Sequence, residues 1–230
     1  MSVLKRMRES RRAALARAVT EEQAIAEAIK KSDADFVKSY LSVSCQDWCS
    51  WKNSQTGSEY ILDLVSSGDL READFQTCFD LIDETSGKAY RESVAGWHPE
   101  VKKEEMRSPE LRYILVKQKD DPTDQVLGYT SLMPTFEDGF PVIYCYEIHL
   151  REALRGTGLG RRMMELLSTI AHNIPTIKKV MLTCFLSNEA GMTFYRRIGF
   201  QVDESSPKER KLRTKIVKPD YAIMSRRTSS

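Results

Sequence analysis

Three glycines lie close together in the segment Arg155–Gly160 (Arg-Gly-Thr-Gly-Leu-Gly), between a predicted strand and a predicted helix. Glycine tolerates positive φ angles and lets a ligand approach the backbone closely. The first N–H groups of the following helix are free to donate, and its dipole favours negative charge. The segment therefore predicts a cradle for a phosphate or diphosphate, with a ligand-free glycine loop as the alternative.

Two common phosphate-binding loops do not match this segment. It lacks the Gly-Lys-Ser/Thr that ends a P-loop. Its glycines are spaced G-x-G-x-G and no suitable acid follows, so a dinucleotide-binding Rossmann turn is not indicated either. The remaining interpretation is the Arg-x-x-Gly-x-Gly turn of enzymes that use acyl-coenzyme A.

Glu147 lies inside an apolar, β-branched and aromatic stretch, Pro141–Leu150, which predicts a central strand leading into the glycine turn. Charged residues are rarely buried without a partner or a task, so Glu147 is a candidate general base. The alternative is that it pairs with an arginine or caps a bulge. In a regular strand Tyr144 and Tyr146 point away from Cys145 and Glu147, whereas a β-bulge would bring Glu147 and a tyrosine together.

Residues on both sides of the turn resemble the GCN5-related N-acetyltransferase (GNAT) superfamily over about residues 110–203. They are Arg155-x-x-Gly158-x-Gly160, the strand 178–185, Asn188, Phe194-Tyr195 and Gly199-Phe200. A second set resembles the N-alpha-acetyltransferase D (NatD) family over most of residues 60–228. It comprises Tyr144-Cys145-Tyr146-Glu147, Lys179–Thr183, Ser205–Pro207, Tyr221 and Ser225–Thr228.

The resemblance implies direct acetyl transfer from acetyl-CoA to an N-terminal α-amine, with no acyl-enzyme intermediate. Such transfer needs a neutral amine, an acceptor for its proton and donors to the oxyanion. The implied catalytic residues are Glu147 as base, Tyr146, and Tyr195 as a donor to the leaving thiolate. Tyr195 fits equally well as a core aromatic beside Phe194. Cys145 is the nucleophile that an acyl-enzyme route would need, and no histidine adjoins it in sequence.

The resemblance also implies where coenzyme and peptide bind. The pantetheine would lie along the strand before the turn, with the Ile148 amide as an oxyanion donor. The implied coenzyme-binding residues are Ile148, His149, Leu150, Arg155, Gly156, Thr157, Gly158, Leu159, Gly160, Arg161 and Asn188. No metal is expected.

The resemblance to the NatD family further implies the peptide substrates, which are the amino termini of histones H-four and H-two-A, beginning Ser-Gly-Arg-Gly. Their pocket must be narrow and must offer acids to the arginine. The implied lining residues are Tyr90, Trp97, Glu137, Asp138, Tyr144, Tyr146, Thr183, Ser205 and Tyr221. Thr135 replaces the first of two acids usual in the family, so the arginine depends on Glu137 and Asp138.

The pattern of apolar residues predicts the elements that hold these side chains. Predicted helices cover 5–31, 70–86, the segment from the glycine turn to 172, and 188–198, with a helical turn at 102–106. Residues 90–99 are predicted as a second helix or a bent loop. Predicted strands cover 59–65, 112–119, 125–134, 141–150, 178–185 and 200–202, the last returning near 221–224, while 32–60 is predicted as loop and strand. The first helix is expected to pack against the domain without joining its core.

This order of helices and strands predicts an α+β fold (α/β by some schemes). With the resemblance, we expect a single GNAT domain with a central mixed, mostly antiparallel sheet and helices on both faces. Residues 1–31 would form a basic helical extension and residues 32–228 the acetyltransferase domain. A length of 230 residues with 41% hydrophobic and 30% charged residues excludes a fibre, a collagen and a wholly disordered chain.

Composition adds expectations about partners and location. No apolar run approaches the roughly 18 residues of a membrane span, and no secretory signal is indicated. Five scattered cysteines suggest reduced thiols in the nucleus and cytoplasm. Basic clusters at 5–17 and 208–218 are either solvated charge or a nuclear address with weak chromatin contact. We expect a monomer without membrane attachment or a strong nucleic-acid site.

Two other functions are compatible with the same residues. A lysine acetyltransferase of this fold would use the same coenzyme turn with an open groove for an internal side chain. A non-catalytic chromatin-binding module would keep the fold and use residues 1–17 as a basic arm.

Overall fold

The computed structural model describes residues 3–211 and 216–228. Arg213 and Lys215 of the second basic cluster lie outside the described residues. The helices are α1 Val3–Lys30, α2 Asp33–Tyr40, α3 Glu72–Glu92, α4 Pro99–Met106, α5 Leu159–Asn173 and α6 Glu189–Arg197, with a 3-10 turn at Glu152–Leu154. The strands are β1 Ser50–Lys52, β2 Glu59–Ser66, β3 Arg112–Gln118, β4 Val126–Glu137, β5 Phe140–Leu150, β6 Lys179–Phe185, β7 Gln201–Val202, β8 Arg210–Lys211, β9 Ile216–Val217 and β10 Tyr221–Arg227.

Eight of the strands form one sheet in the order β1-β2-β3-β4-β5-β6-β10-β7, and β8 pairs with β9 separately. All neighbours in the large sheet are antiparallel except β5 and β6. Helices α1, α2, α5 and α6 contribute to the apolar cluster on one face, and α3 and α4 to the cluster on the other. The predicted α+β fold, with a mixed sheet between helices, is confirmed.

The parallel strands β5 and β6 pair over only part of their lengths. Their register runs from Val142–Lys179 to Cys145–Leu182 and then stops. β5 continues to Leu150 against β4, and β6 continues to Phe185 against β10. The two strands therefore separate and leave a gap in the middle of the sheet.

A β-bulge at Tyr146 resolves the two alternatives for the predicted central strand. Ser131 on β4 lies opposite Glu147, but the next residue, Leu132, lies opposite Cys145. Tyr146 is therefore the extra residue of the bulge. Cys145 packs in the cluster with α5, whereas Glu147 bonds to side chains from α3 and α4, so these two residues face opposite sides of the sheet.

Two sequence predictions were wrong near the amino terminus. The 32–60 segment contains a helix, α2, whose buried Phe36 and Tyr40 are one turn apart and whose N-cap is Ser32. Its eight residues are too few for a clear helical period among polar neighbours. In addition, α1 does join the core, because Ile25 and Ala28 belong to the main apolar cluster.

Helix α3 continues further than predicted. It runs through Gly87 to Glu92, so Tyr90 is helical. A single glycine lowers helix stability by only about 1 kcal/mol, which the buried apolar face of α3 offsets. This extension brings Tyr90 over the gap between β5 and β6.

Arg112 on β3 joins the amino-terminal helices to the sheet. Only 4% exposed, it donates to the carbonyls of Ile29 (3.1 Å) and Lys31 (2.5 Å) and to Asp33 (3.3 Å). Its guanidinium lies 4.3 Å from the ring centroid of Phe36. One buried cation thus satisfies the last carbonyls of α1 and the first acid of α2.

We expect Arg112→Leu to lower the free energy of unfolding by about 2–4 kcal/mol, because buried acceptors lose their donor. Urea unfolding followed by circular dichroism measures this change. The matched control is Lys88→Ala, whose ion pair with Glu92 is largely exposed and should contribute little. Equal stability of the two variants would contradict the role of Arg112.

Candidate active site

Two cavities meet at the gap between β5 and β6. The first has a volume of 420 Å³ and is lined by Tyr90, Lys102 and Tyr144 among others. The second has a volume of 530 Å³, lies at the start of α5, and is lined by Gly158 and Phe194 among others. The residues that line both cavities are Ser86, Ile148, His149, Asn188 and Tyr195.

Glu147 lies in the wall of the first cavity and is 8% exposed. Its Oε1 accepts from Lys102 Nζ at 3.0 Å and from the Tyr90 hydroxyl at 3.1 Å. Its Oε2 lies 2.5 Å from His149 Nε2. Lys102 Nζ also donates to Glu105 at 2.8 Å. Glu147 therefore does pair with a cation, as the alternative interpretation of the sequence expected, but the cation is a lysine of α4 and not an arginine.

The charges around Glu147 decide its protonation. Burial acts to raise its pKa, but the hydrogen bond and charge of His149, followed by those of Lys102, outweigh burial and place the pKa below its usual range. The charge of Glu147, followed by Tyr90 and Glu105, raises the pKa of Lys102 against the effect of its burial. Glu147 is therefore a carboxylate and Lys102 an ammonium at neutral pH.

The glycine turn has the backbone that its sequence predicts. Gly156 and Gly158 have φ angles of 73° and 94°, and Gly158 is the N-cap of α5. A Cβ at either position would meet no atom within 4 Å, so the space in front of both is open. The first N–H groups of α5 therefore open onto the second cavity, and this arrangement fits a diphosphate.

Most of the residues predicted to bind coenzyme line the second cavity. They are Ile148, His149, Leu150, Arg155, Gly156, Gly158, Gly160, Arg161 and Asn188. The side chains of two others are directed elsewhere, because Thr157 donates to the Leu154 carbonyl and Leu159 is buried in the core. Asn188 caps α6 by accepting from the Gly191 amide at 2.9 Å, which leaves its NH₂ group for a ligand.

The residues predicted to bind peptide divide between two regions. Those lining the first cavity are Tyr90, Glu137, Tyr144, Tyr146 and Thr183. Trp97 stands behind Tyr90, with ring centroids 5.0 Å apart, and supports that ring. Asp138 and Ser205 line a third cavity of 740 Å³, and Tyr221 begins β10 and is not among the residues lining these cavities.

The positions of Asp138 and Ser205 have local causes. Asp138 occupies the left-handed region, φ 48°, in the tight turn between β4 and β5, and it lines the third cavity while Glu137 lines the first. The Ser205 hydroxyl donates to Asp203 at 2.8 Å, which fixes it beside the third cavity. Of the two acids predicted to bind an arginine, Glu137 alone lines the first cavity.

Cys145 and Tyr195 differ in the chemistry that their surroundings allow. Burial raises the pKa of the Cys145 thiol to about 12, so it stays protonated at neutral pH and is a poor nucleophile. Burial also raises the pKa of Tyr195 far above its usual range, so its hydroxyl remains a proton donor. The Tyr195 ring packs 5.2 Å from Phe194, so it is both a core aromatic and a cavity residue.

Residues 3–211 and 216–228 include neither a metal-ligating cluster nor a membrane-spanning helix. No group of three or more His, Cys, Asp or Glu side chains is placed there to hold a metal ion. No helix of this part of the chain is both long and apolar enough to cross a bilayer. The five cysteines are free thiols.

Comparison with known proteins identifies the family to which this fold belongs. The model of the acetyltransferase (GNAT) family matches residues 75–200, more than half of the chain and most of both cavities. The chain belongs to the GNAT acetyltransferase family. The resemblance to this superfamily inferred from the glycine turn is confirmed, and the expected fold with it.

One curated relative of this GNAT protein is N-alpha-acetyltransferase 40 of Saccharomyces cerevisiae, 29% identical over 204 residues. The alignment covers 78% of this chain and 64% of the relative, so the chain spans less than two thirds of the yeast protein's length.

Solved structures share the fold at low sequence identity. An acetyltransferase from Streptococcus agalactiae has a TM-score of 0.52 and 12% identity, covering 72% of this chain and 98% of that one. Arabidopsis thaliana NAA60, solved with a bisubstrate analogue, has a TM-score of 0.50 and 9% identity, covering 72% of this chain and 97% of that one.

Sequence reasoning missed Lys102 and the side-chain role of His149. Lys102 belongs to the charged run Lys102–Glu105, which resembles a solvated helix. Lys102 and Glu147 are 45 residues apart in the sequence, and only the tertiary contact of α4 with β5 brings them together. His149 was assigned to coenzyme through its backbone, but its ring lies against Glu147.

We expect Gly158→Ala to lower the free energy of unfolding by about 1–2 kcal/mol, because an alanine is strained at a positive φ even in open space. Gly68→Ala is the matched control, since Gly68 also faces open space but has no positive φ. Urea unfolding of both variants tests the expectation. If Gly68→Ala is as destabilised as Gly158→Ala, strain at the turn is not the cause.

Proposed function

We propose that this protein is a NatD-type enzyme that transfers acetyl from acetyl-CoA to the amino-terminal serine of histones H-four and H-two-A. The observation that carries the proposal is the meeting of the two cavities beside Glu147 and Tyr195. The glycine turn that fits a diphosphate opens onto one cavity, and the other, smaller cavity is lined by aromatic and acidic side chains. The relative named N-alpha-acetyltransferase 40 supports the choice of an α-amine.

Acetyl transfer to an α-amine requires little help from a base. An α-amine has a pKa near 8, so about a tenth of it is neutral at pH 7. Glu147, an anion in the cavity wall, would orient that neutral amine and accept its proton as the new N–C bond forms. Tyr195 would supply a proton to the departing thiolate, and the Ile148 amide would donate to the oxyanion.

Recognition of the peptide would depend on the first cavity. Its side chains are large and leave room for a small first residue rather than a bulky one. Burial, followed by the charge of Asp138, raises the pKa of Glu137, so a substrate guanidinium there would be favoured as its counter-ion. Tyr144 and Thr183, joined by a hydrogen bond of 2.6 Å, would form the wall beside the amine.

The remaining expectations belong to the same proposal. Residues 32–228 are the acetyltransferase domain, residues 1–31 its basic helical extension, and the enzyme acts as a monomer in nucleus and cytoplasm. Neither a membrane nor a strong nucleic-acid site is part of this function.

An acetylation assay over a panel of peptide termini tests the proposal. We expect acetyl on the α-amine of Ser-Gly-Arg-Gly peptides, located by mass spectrometry, and about tenfold or greater loss when the arginine becomes alanine. The control peptide has a blocked amino terminus and the same lysines. Acetylation of that control would favour a lysine acetyltransferase, and coenzyme binding without turnover of any peptide would favour a non-catalytic module.

We expect Glu147→Gln to lower kcat about a hundredfold while KM for the peptide changes little, because the amide cannot accept the proton. Steady-state kinetics with the best peptide measure both quantities, and calorimetry with acetyl-CoA checks that the second cavity is intact. Unchanged kcat would remove Glu147 from the base role.

Cys145→Ala is the matched variant from the same strand. It should keep its kcat, because the buried, protonated thiol takes no part in direct transfer. Loss of activity in Cys145→Ala, together with an acetylated wild-type cysteine, would instead support an acyl-enzyme route.

A further inference from the structure

His149 is a buried histidine with both ring nitrogens engaged. It is 6% exposed and follows Glu147 by two residues on β5. Its Nδ1 lies 2.5 Å from the Thr85 hydroxyl of α3, and its Nε2 lies 2.5 Å from Glu147 Oε2. Its ring also packs 5.6 Å from that of Tyr129. The ring is therefore held between α3, β4 and the candidate base.

Hydrogen-bond accounting assigns the protons on this ring. A threonine hydroxyl has one proton, and Thr85 donates it to the Leu81 carbonyl at 2.8 Å. With that donation, the Thr85 oxygen accepts from His149, and Nδ1 carries a proton. Lys102 and Tyr90 both donate to the other oxygen of Glu147, which favours the carboxylate over the acid. In this arrangement Nε2 donates to Oε2, and both ring nitrogens carry protons.

The same accounting identifies the acceptor that remains on Glu147. Each carboxylate oxygen offers two lone-pair directions. In the part of the chain that the structure describes, Lys102 and Tyr90 use both on Oε1, and His149 uses one on Oε2. One acceptor position is left, on the oxygen that His149 holds.

We propose that His149 is a positioning residue, which holds Glu147 as an anion and aims the last acceptor position of Oε2 at the substrate amine. Thr85 sets the orientation of the ring through Nδ1. This inference rests on the proposed function, because it explains how Glu147 meets the α-amine. The proton moves from the amine nitrogen to Oε2 as nitrogen bonds to the acetyl carbon, and His149 keeps its own protons throughout.

The charged and titratable groups that face the His149 ring determine how the proposed reaction depends on pH. They are Glu147 on β5 and Tyr129 on β4, with Tyr90 of α3 and Lys102 of α4 acting through Glu147. With the imidazolium in place Glu147 stays ionised, so kcat/KM should follow the amine alone and fall tenfold per pH unit below about 8. Without that cation, burial is opposed by Lys102 alone, so the pKa of Glu147 rises and a second proton enters the profile.

Kinetics of four variants from pH 5.5 to 9 test the proposal. His149→Leu should lower kcat about tenfold or more at pH 8 and steepen kcat/KM toward two protons below about pH 6. His149→Gln keeps a neutral donor, so it should recover most of kcat at pH 8 but not at pH 6. Thr85→Val should lower kcat with little change in KM for the peptide, and Thr85→Ser should restore kcat.

The control is His172→Gln, an exposed histidine on α5, which should match wild type. Wild-type kcat and slope in His149→Leu would overturn the proposal. A loss of kcat without any change in the shape of the pH profile would also overturn it, because it would indicate a merely structural role.

Nitrogen-15 NMR of the wild-type imidazole tests His149 without any variant or turnover. Two protonated ring nitrogens at pH 7 are expected, and a neutral ring would overturn the proposal. If the enzyme acetylates no α-amine, the proposed function fails by the peptide panel, and the NMR signature still decides whether His149 holds Glu147 as an anion.

Discussion

The short parallel pairing of β5 and β6 is the constraint on which the rest of the molecule depends. The strands are joined over Val142–Cys145 and then diverge, while each keeps its other neighbour. Because β4 and β10 pair with the diverging ends, the gap is bordered on both sides by strands that stay in the sheet. Both cavities, the glycine turn and Glu147 are arranged around this single opening.

A buried carboxylate is costly, and the bulge at Tyr146 determines how this one is stabilised. The extra residue turns Glu147 away from the apolar cluster around Cys145 and toward α3 and α4. There it meets Lys102, Tyr90 and His149, which replace the hydrogen bonds that water would give. The same donors that make its burial tolerable keep it ionised, so folding and reactivity depend on one set of contacts.

The sequence allowed prediction of features that are local in the chain. The glycine turn needs positive φ, and the strand before it is β-branched and aromatic, so both were visible without tertiary information. Contacts between distant segments were not. The bulge reflects a mismatch between two strands, Lys102 resembles surface charge until α4 is placed, and Asp138 lies next to Glu137 in sequence but lines a different cavity.

The two cavities share the gap between β5 and β6 but are otherwise lined by different residues, and this bears on the order of events during turnover. Because the buried Cys145 thiol is protonated and inert, the proposed reaction forms no acetylated enzyme. Both substrates must therefore be bound at the same time. A donor at the start of α5 and a peptide in the first cavity would each have a cavity of their own and would meet at the shared gap. For the proposed transfer, the architecture therefore suits a ternary complex.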